Sequence, residues 1–261
     1  MSSDIILQTR GLTKEFRGFT AVNNVDLSIQ QGHIHALIGP NGAGKTTFFN
    51  LLTHFLPPTR GEIIYQGRAI TGMKANQIAK LGLVRSFQIS AVFGEMTVLE
   101  NVRVALQSKV GNSFHFWKSE HSLNRLNDRA MELLDEVDLG GFADTVTNEL
   151  SYGRKRALEL ATTMALDPVM LLLDEPTQGM GHEDVDMVVD LVRRAAVGRS
   201  VLMVEHNLSV VSRLCDQITV LARGSVLAEG DYATVSANPE VREAYLGSDT
   251  TGTENNSEVS P

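Results

Sequence analysis

Cysteine is almost absent. Cys215 is the only one among 261 residues, which excludes an internal disulfide and suits a reducing compartment. Its plain reading is a small apolar core residue. Long hydrophobic runs are missing too: the longest candidate, Val169 to Leu173, falls far short of the roughly 20 apolar residues of a membrane helix and fits a buried strand. The opening residues, MSSDIILQTR, have no basic segment followed by an apolar one, which argues against secretion. Positive charge is in deficit. Lys and Arg number 23 against 31 Asp and Glu, a formal net charge of −8, and this disfavours non-specific binding to nucleic acid or anionic lipid. The clusters Arg154-Lys155-Arg156 and Arg193-Arg194 read as solvated helix faces. No internal repeat is present. What remains is an ordinary globular composition, 43% hydrophobic and 21% charged.

The order of elements is informative. From Ile5 to Ile38 the β-rich pieces IILQTR, VDLSI and HIHALI alternate with turn residues, and GEIIYQGRAI (Gly61 to Ile70) continues the pattern. Between Val98 and about Glu136 the apolar residues recur every three or four positions, a helical period. After Asp167-Pro168 strands and helices alternate: VMLLLDE, EDVDMVVDLVRRA, SVLMVEH, LSVVSRLC, QITVLARG. Such alternation implies a largely parallel sheet covered on both faces. A mostly helical insert is expected to interrupt this α/β core, and the last stretch, poor in apolar residues, is expected to be a disordered tail.

Three segments carry chemistry. Gly39-Pro40-Asn41-Gly42-Ala43-Gly44-Lys45-Thr46 fits G-x-x-x-x-G-K-[ST] without a mismatch, and Thr47 follows. Glycines let successive backbone N–H groups turn inward around phosphate, and the helix beginning near Lys45 aims its positive end at the same anion. Lys45 adds a point charge, and the Thr46 hydroxyl can ligate Mg²⁺. The strand from Val169 ends in Asp174-Glu175, one carboxylate to support Mg²⁺ and a second to polarise an attacking water. Ser151, two residues before Gly153, is a plausible N-cap opening a further helix, whose free N–H groups form a second phosphate site. One nucleotide rarely needs two such sites from one chain, so the second suits a nucleotide held by a partner chain.

With these segments in order, the sequence resembles the ATP-binding subunit of an ABC transporter over residues 4–247. GPNGAGKTT, the Gln88 of VRSFQ, LSYGR, LLLDEP, TQGMG and the His206 of VEHN match the family's parts in sequence. VRSFQ, LARGSVLAEG and the terminal AYLG are most similar to ATPases of branched-chain amino acid importers. The resemblance implies a P-loop NTPase (RecA-like) α/β core at 4–88 and 166–247, with an N-terminal antiparallel β-subdomain, a helical subdomain at 89–165 carrying the signature motif, and a tail at 248–261. It implies ATP and Mg²⁺ as ligands. Phe16 would stack on adenine in place of the commoner Tyr, Thr46, Gln88 and Asp174 would serve the metal, His206 would sense the γ-phosphate, and Glu175 would act as general base or water orienter.

The implied partners are integral membrane permease subunits and a second ATPase subunit, either another copy or a paralogue. An extracytoplasmic substrate-binding protein is implied indirectly; nucleic acid is not. The implied location is peripheral, at the cytoplasmic face of the inner membrane. Leucine-type amino acids are the expected cargo, and similar systems carry urea and short amides. The alternatives are a lipopolysaccharide-type exporter ATPase, with a similar terminal YLG, and a non-transport ABC ATPase, which the single cassette and negative charge disfavour. Two departures stand out. Arg154 occupies a signature position that usually holds Gln or Glu, where a cation at a helix N-terminus calls for an anion such as Glu149 or a partner-bound phosphate. Gly181 stands where Asp or Asn is usual.

Overall fold

The computed structural model describes residues 5–86, 92–110 and 120–249. The chain forms two compact units, Met1–Gly72 with Val204–Pro261, and Met73–Met203.

In the first unit, strands β1 (Ile5–Phe16) and β2 (Phe19–Gln30) make a long antiparallel hairpin. Arg17 and Gly18 turn it, both at positive φ. β4 (Arg60–Tyr65) and the short β5 (Arg68–Ala69) extend this into a sheet of order β2-β1-β4-β5, the expected N-terminal antiparallel layer. Leu7, Leu12, Val22, Val25, Leu27 and Ile29 are buried on it. Register shifts interrupt the ladder between β1 and β2 at several points, and both strands run further than their short apolar pieces suggest. The same unit holds β3 (Ile34–Ile38), buried throughout, which runs parallel to β9 (Gln217–Ala222); β10 (Ser225–Gly230) pairs antiparallel with β9. α1 (Lys45–Leu52) follows β3 and buries Phe48, Phe49, Leu51 and Leu52 completely. Each such side chain contributes roughly 1.5–3 kcal/mol, so the loop between β3 and α1 is held at both ends. α7 (Leu208–Leu214), α8 (Tyr232–Ala237) and α9 (Pro239–Asp249) complete the unit.

The second unit holds α2 (Ala75–Lys80) and strands β6 (Leu83–Arg85), β7 (Met170–Asp174) and β8 (Ser200–Val204) in the order β8-β7-β6, with β6 and β7 parallel. Its helices are α3 (Val98–Val110), α4 (Glu120–Glu136), α5 (Tyr152–Met164) and α6 (His182–Ala195). β7 is buried along its whole length, as a run without polar alternation requires. The helical segment expected at 89–165 thus lies in this unit together with three strands of the α/β layer. The mixed α/β fold, with its parallel strand pairs and antiparallel N-terminal sheet, is the expected class.

Candidate nucleotide site

Gly39 ends β3 at φ 148°, and its missing Cβ is mandatory, because a Cβ there would sit 2.1 Å from the Leu221 carbonyl oxygen. Gly44, the N-cap of α1, has φ 101°, and a Cβ would meet the Ala21 carbonyl oxygen at 2.4 Å. Between them Ala43 accepts a hydrogen bond from the Gly224 amide at 3.0 Å, fastening the loop to the β9–β10 turn. This is a nest held by backbone on two sides. Lys45 is buried, and its Nζ donates to the carbonyl oxygens of Gly39 (2.6 Å) and Pro40 (3.1 Å). The ammonium is bound by its own loop. Asn41, Gly42 and Thr46 are exposed, and Pro40 and Thr47 half-buried.

Two other predicted residues share this unit. Phe16, at the end of β1, is 41% exposed, with the Lys14 ammonium 5.1 Å from its ring centre. Its ring is therefore available for stacking and is no part of the core. His206 is exposed just past β8. Sequence reasoning passed over its neighbour Glu205, a carboxylate with 0% exposure whose Oε2 accepts from the backbone amides of His206 (2.9 Å) and Asn207 (3.0 Å). Asn207 then caps α7 by accepting from the Ser209 amide. Glu205 thus sets the chain path that presents His206. The sequence signal was an acid directly before a strand-end histidine, but nothing local indicated that it would be buried.

In the second unit Asp174 ends β7 and is buried. Its Oδ2 accepts from the Arg85 guanidinium at 2.5 Å, and both side chains are nearly inaccessible. Arg85 comes from VRSFQ, and its pairing with a residue 89 positions away was not legible in advance. Glu175 follows at φ 48°. A non-glycine residue held left-handed stores about 1–3 kcal/mol, and such strain gathers at working sites. Gln88 lies outside the described residues.

Ser151 occupies the N-cap position of α5, as expected, but its side chain makes no capping hydrogen bond and is exposed. Gly153 is buried where α5 meets α6: a Cβ would come within 2.5 Å of the Met187 methyl and 3.3 Å of an Asp184 carboxylate oxygen. The Tyr152 hydroxyl donates to the Gln178 carbonyl at 3.1 Å, tying the start of α5 to the turn after Glu175. The guanidinium of Arg154, for which a carboxylate or a partner-bound phosphate is expected, lies 4.0 Å from the centre of the Phe142 ring. An aromatic face with a negative quadrupole offsets a cation at a helix N-terminus. No group of three or more His, Cys, Asp or Glu positioned to hold a metal occurs among the described residues.

Residues 22–178 match the ABC transporter family, and residues 225–250 match the branched-chain amino acid ATP-binding cassette transporter family. The chain belongs to the ABC transporter family. It is 39% identical over 249 residues to the high-affinity branched-chain amino acid transport ATP-binding protein BraF of Pseudomonas aeruginosa, covering 93% of this chain and 98% of that protein. With LivG of Escherichia coli, of the same description, identity is 38% over 252 residues, covering 94% and 99%. Among solved structures, the ADP conformation of MJ1267, an ATP-binding cassette of an ABC transporter, superposes with a TM-score of 0.82 at 29% identity, covering 93% of this chain and 99% of that one. A nucleotide-free cassette gives 0.80 at 28%, covering 92% and 98%. The enzymatic class of the ABC transporter family member described here is accordingly an ATPase.

Proposed function

We propose that this ABC ATPase powers uptake of branched-chain amino acids through a separate membrane permease. The observation that carries the reading is the match of 225–250, outside the general ATPase segment, to the branched-chain type; the names of BraF and LivG, branched-chain amino acid transport ATP-binding proteins, agree with it. Among the described residues no helix is long and apolar enough to cross a membrane. In this reading the permease is a separate chain, and the ATPase is peripheral at the cytoplasmic face.

The loop at Gly39–Thr47 receives the β- and γ-phosphates of ATP, with its inward N–H groups and the α1 N-terminus as the anion site. Phe16 stacks on adenine. The donor set fits Mg²⁺, which takes one or two protein oxygens and fills its shell from phosphate and water: the Thr46 hydroxyl, Asp174 and the side-chain oxygen of Gln88 would hold it, and it would neutralise charge on the phosphates. Glu175 accepts a proton from the water that attacks the γ-phosphorus; the bond from that phosphorus to the β–γ bridging oxygen breaks, giving ADP and phosphate. His206, directed by Glu205, contacts the γ-phosphate. Ser151 and Gly153 complete the site of a second subunit, a copy or a paralogue, in a head-to-tail dimer closed by ATP.

Permease contact is assigned to the start of the helical segment. Phe93 is 52% exposed and borders a cavity of about 230 Å³ lined also by Val84, Val104, Ala105 and Leu166. The buried Asn101 holds the Phe93 backbone at both its N–H (2.6 Å) and carbonyl (3.0 Å). A rigid backbone presenting an exposed aromatic beside a groove suits an incoming helix.

Uptake of labelled leucine, isoleucine and valine by cells whose chromosomal copy carries Glu175→Gln tests the reading. Saturable uptake of all three is expected to be lost while lysine uptake persists. Unchanged branched-chain uptake would overturn the cargo assignment.

A further inference from the structure

The turn that follows Glu175 is tied to α5 by a relay of side chains within the second unit. Gln178 is the point of attachment. Its N–H donates to the Glu175 carbonyl at 3.0 Å, and its own carbonyl accepts from the Tyr152 hydroxyl at 3.1 Å. The next residue, Gly179, sits at φ 77°, and a Cβ added there would stand 3.7 Å from the same hydroxyl. Gln178 is thus held by Glu175 through its N–H and by α5 through its carbonyl.

Tyr152 is itself restrained. Arg156, one turn further along α5, places its guanidinium 5.6 Å from the centre of the Tyr152 ring. One of its Nη atoms donates to the Tyr152 hydroxyl at 3.4 Å, and the other donates to Glu159 Oε2 at 2.8 Å. The side chains of Arg156 and Glu159 are only 12% and 10% exposed, so Arg156 does not lie on the solvated helix face that its basic neighbours suggest. A guanidinium can only donate. The hydroxyl therefore accepts from Arg156, and its single proton is left for the Gln178 carbonyl. The relay runs from Arg156 through Tyr152 to Gln178 and ends on the turn of Glu175, which stands at φ 48°. A strained backbone persists only where its surroundings over-determine it, and the Tyr152 hydroxyl is one such restraint.

We propose that Tyr152 is a positioning residue for ATP hydrolysis, holding through Gln178 the turn that aims the Glu175 carboxylate. This rests on the reading of Glu175 as the group that acts on the attacking water. Tyr152→Phe keeps the ring and removes the hydroxyl, and the half-exposed position tolerates the change. The expected result is a kcat lowered roughly 3- to 10-fold, the order of one hydrogen bond, with KM and equilibrium Kd for ATP within about twofold of wild type. A residue that acts through Glu175 has nothing left to aim once that carboxylate is gone. In single-turnover hydrolysis, Glu175→Gln with Tyr152→Phe is therefore expected to be as slow as Glu175→Gln alone. An unchanged kcat in Tyr152→Phe would overturn the positioning role. So would a double variant slower than Glu175→Gln by the full factor seen for Tyr152→Phe, or a loss confined to ATP affinity or to melting temperature. Glu175→Gln alone separates the two claims. If it turns over like wild type, the reading of Glu175 fails and the relay with it. If it is inactive while Tyr152→Phe turns over like wild type, only the relay is overturned.

Discussion

Single residues in this chain are held by partners that their local sequence does not name. Asp174 and Arg85 form a pair with side chains 3% and 10% exposed. Removing one member of a buried pair leaves an uncompensated charge, which costs about 3–5 kcal/mol. Arg85→Ala is therefore expected to lose stability on that scale in urea unfolding, and to lose more than the conservative Asp174→Asn does. Glu205 acts on geometry instead. Without its carboxylate the His206 and Asn207 amides lose their acceptor, and His206 is no longer aimed. Glu205→Ala is expected to lower kcat roughly 10- to 100-fold, the usual scale for a misplaced catalytic group, with KM for ATP little changed; a purely structural role would lower melting temperature and leave the kcat of the surviving folded protein intact. The phosphate loop was legible from sequence because a nest is local: glycine positions and one lysine define it. Arg85, Glu205 and the Phe142 face under Arg154 were not, because burial and pairing arise from segments brought together by the fold.

Among elements, the strongly patterned ones were readable. The apolar runs of β3, β7 and β8 and the helical periods of α3, α4 and α6 appear where the sequence places them. α2, β10, α8 and α9 were not anticipated. Each is 6 to 11 residues long, too short for periodicity to stand out, although Asp231 before α8 and Pro239 at the start of α9 are the ordinary start signals. One departure from the family pattern can be read at this scale. Gly181 is the N-cap of α6 at φ −73° and ψ 165°, with open space where a Cβ would go. An acid fits there both sterically and electrostatically. Gly181→Asp is expected to be tolerated and to stabilise by a few tenths of a kcal/mol, seen as a small rise in melting temperature; a fall would mean that glycine is required for another reason.

For the molecule as a whole, acid sensitivity has a definite source. His35 on β3 is buried, its Nε2 lies 2.8 Å from the Thr219 hydroxyl, and burial, with His33 nearby, lowers it from 6.5 to about 4. Between those values the unfolded chain binds the proton and the folded one does not. The stabilisation is thus complete above pH 6.5 and lost progressively as pH falls to about 4, on the order of 3 kcal/mol at most. Urea midpoints between pH 7.5 and 4.5 are expected to fall for the wild type, and to fall less for His35→Gln. Assembly is the other property of the whole. Mg-ATP is expected to convert Glu175→Gln from monomer to dimer in light scattering, alone or with the paralogous subunit, and a monomer under both conditions would remove the basis for the shared site at Ser151 and Gly153.

The central claim is that Lys45 binds nucleotide and Glu175 turns it over. The most direct measurement mixes excess protein with γ-labelled ATP, isolates what is bound, and determines how much remains ATP. Wild type is expected to retain mainly hydrolysed nucleotide, Glu175→Gln to retain intact ATP, and Lys45→Ala to retain almost none. Glu175→Gln that hydrolyses its bound ATP like wild type, or fails to bind it like Lys45→Ala, would contradict the assignment.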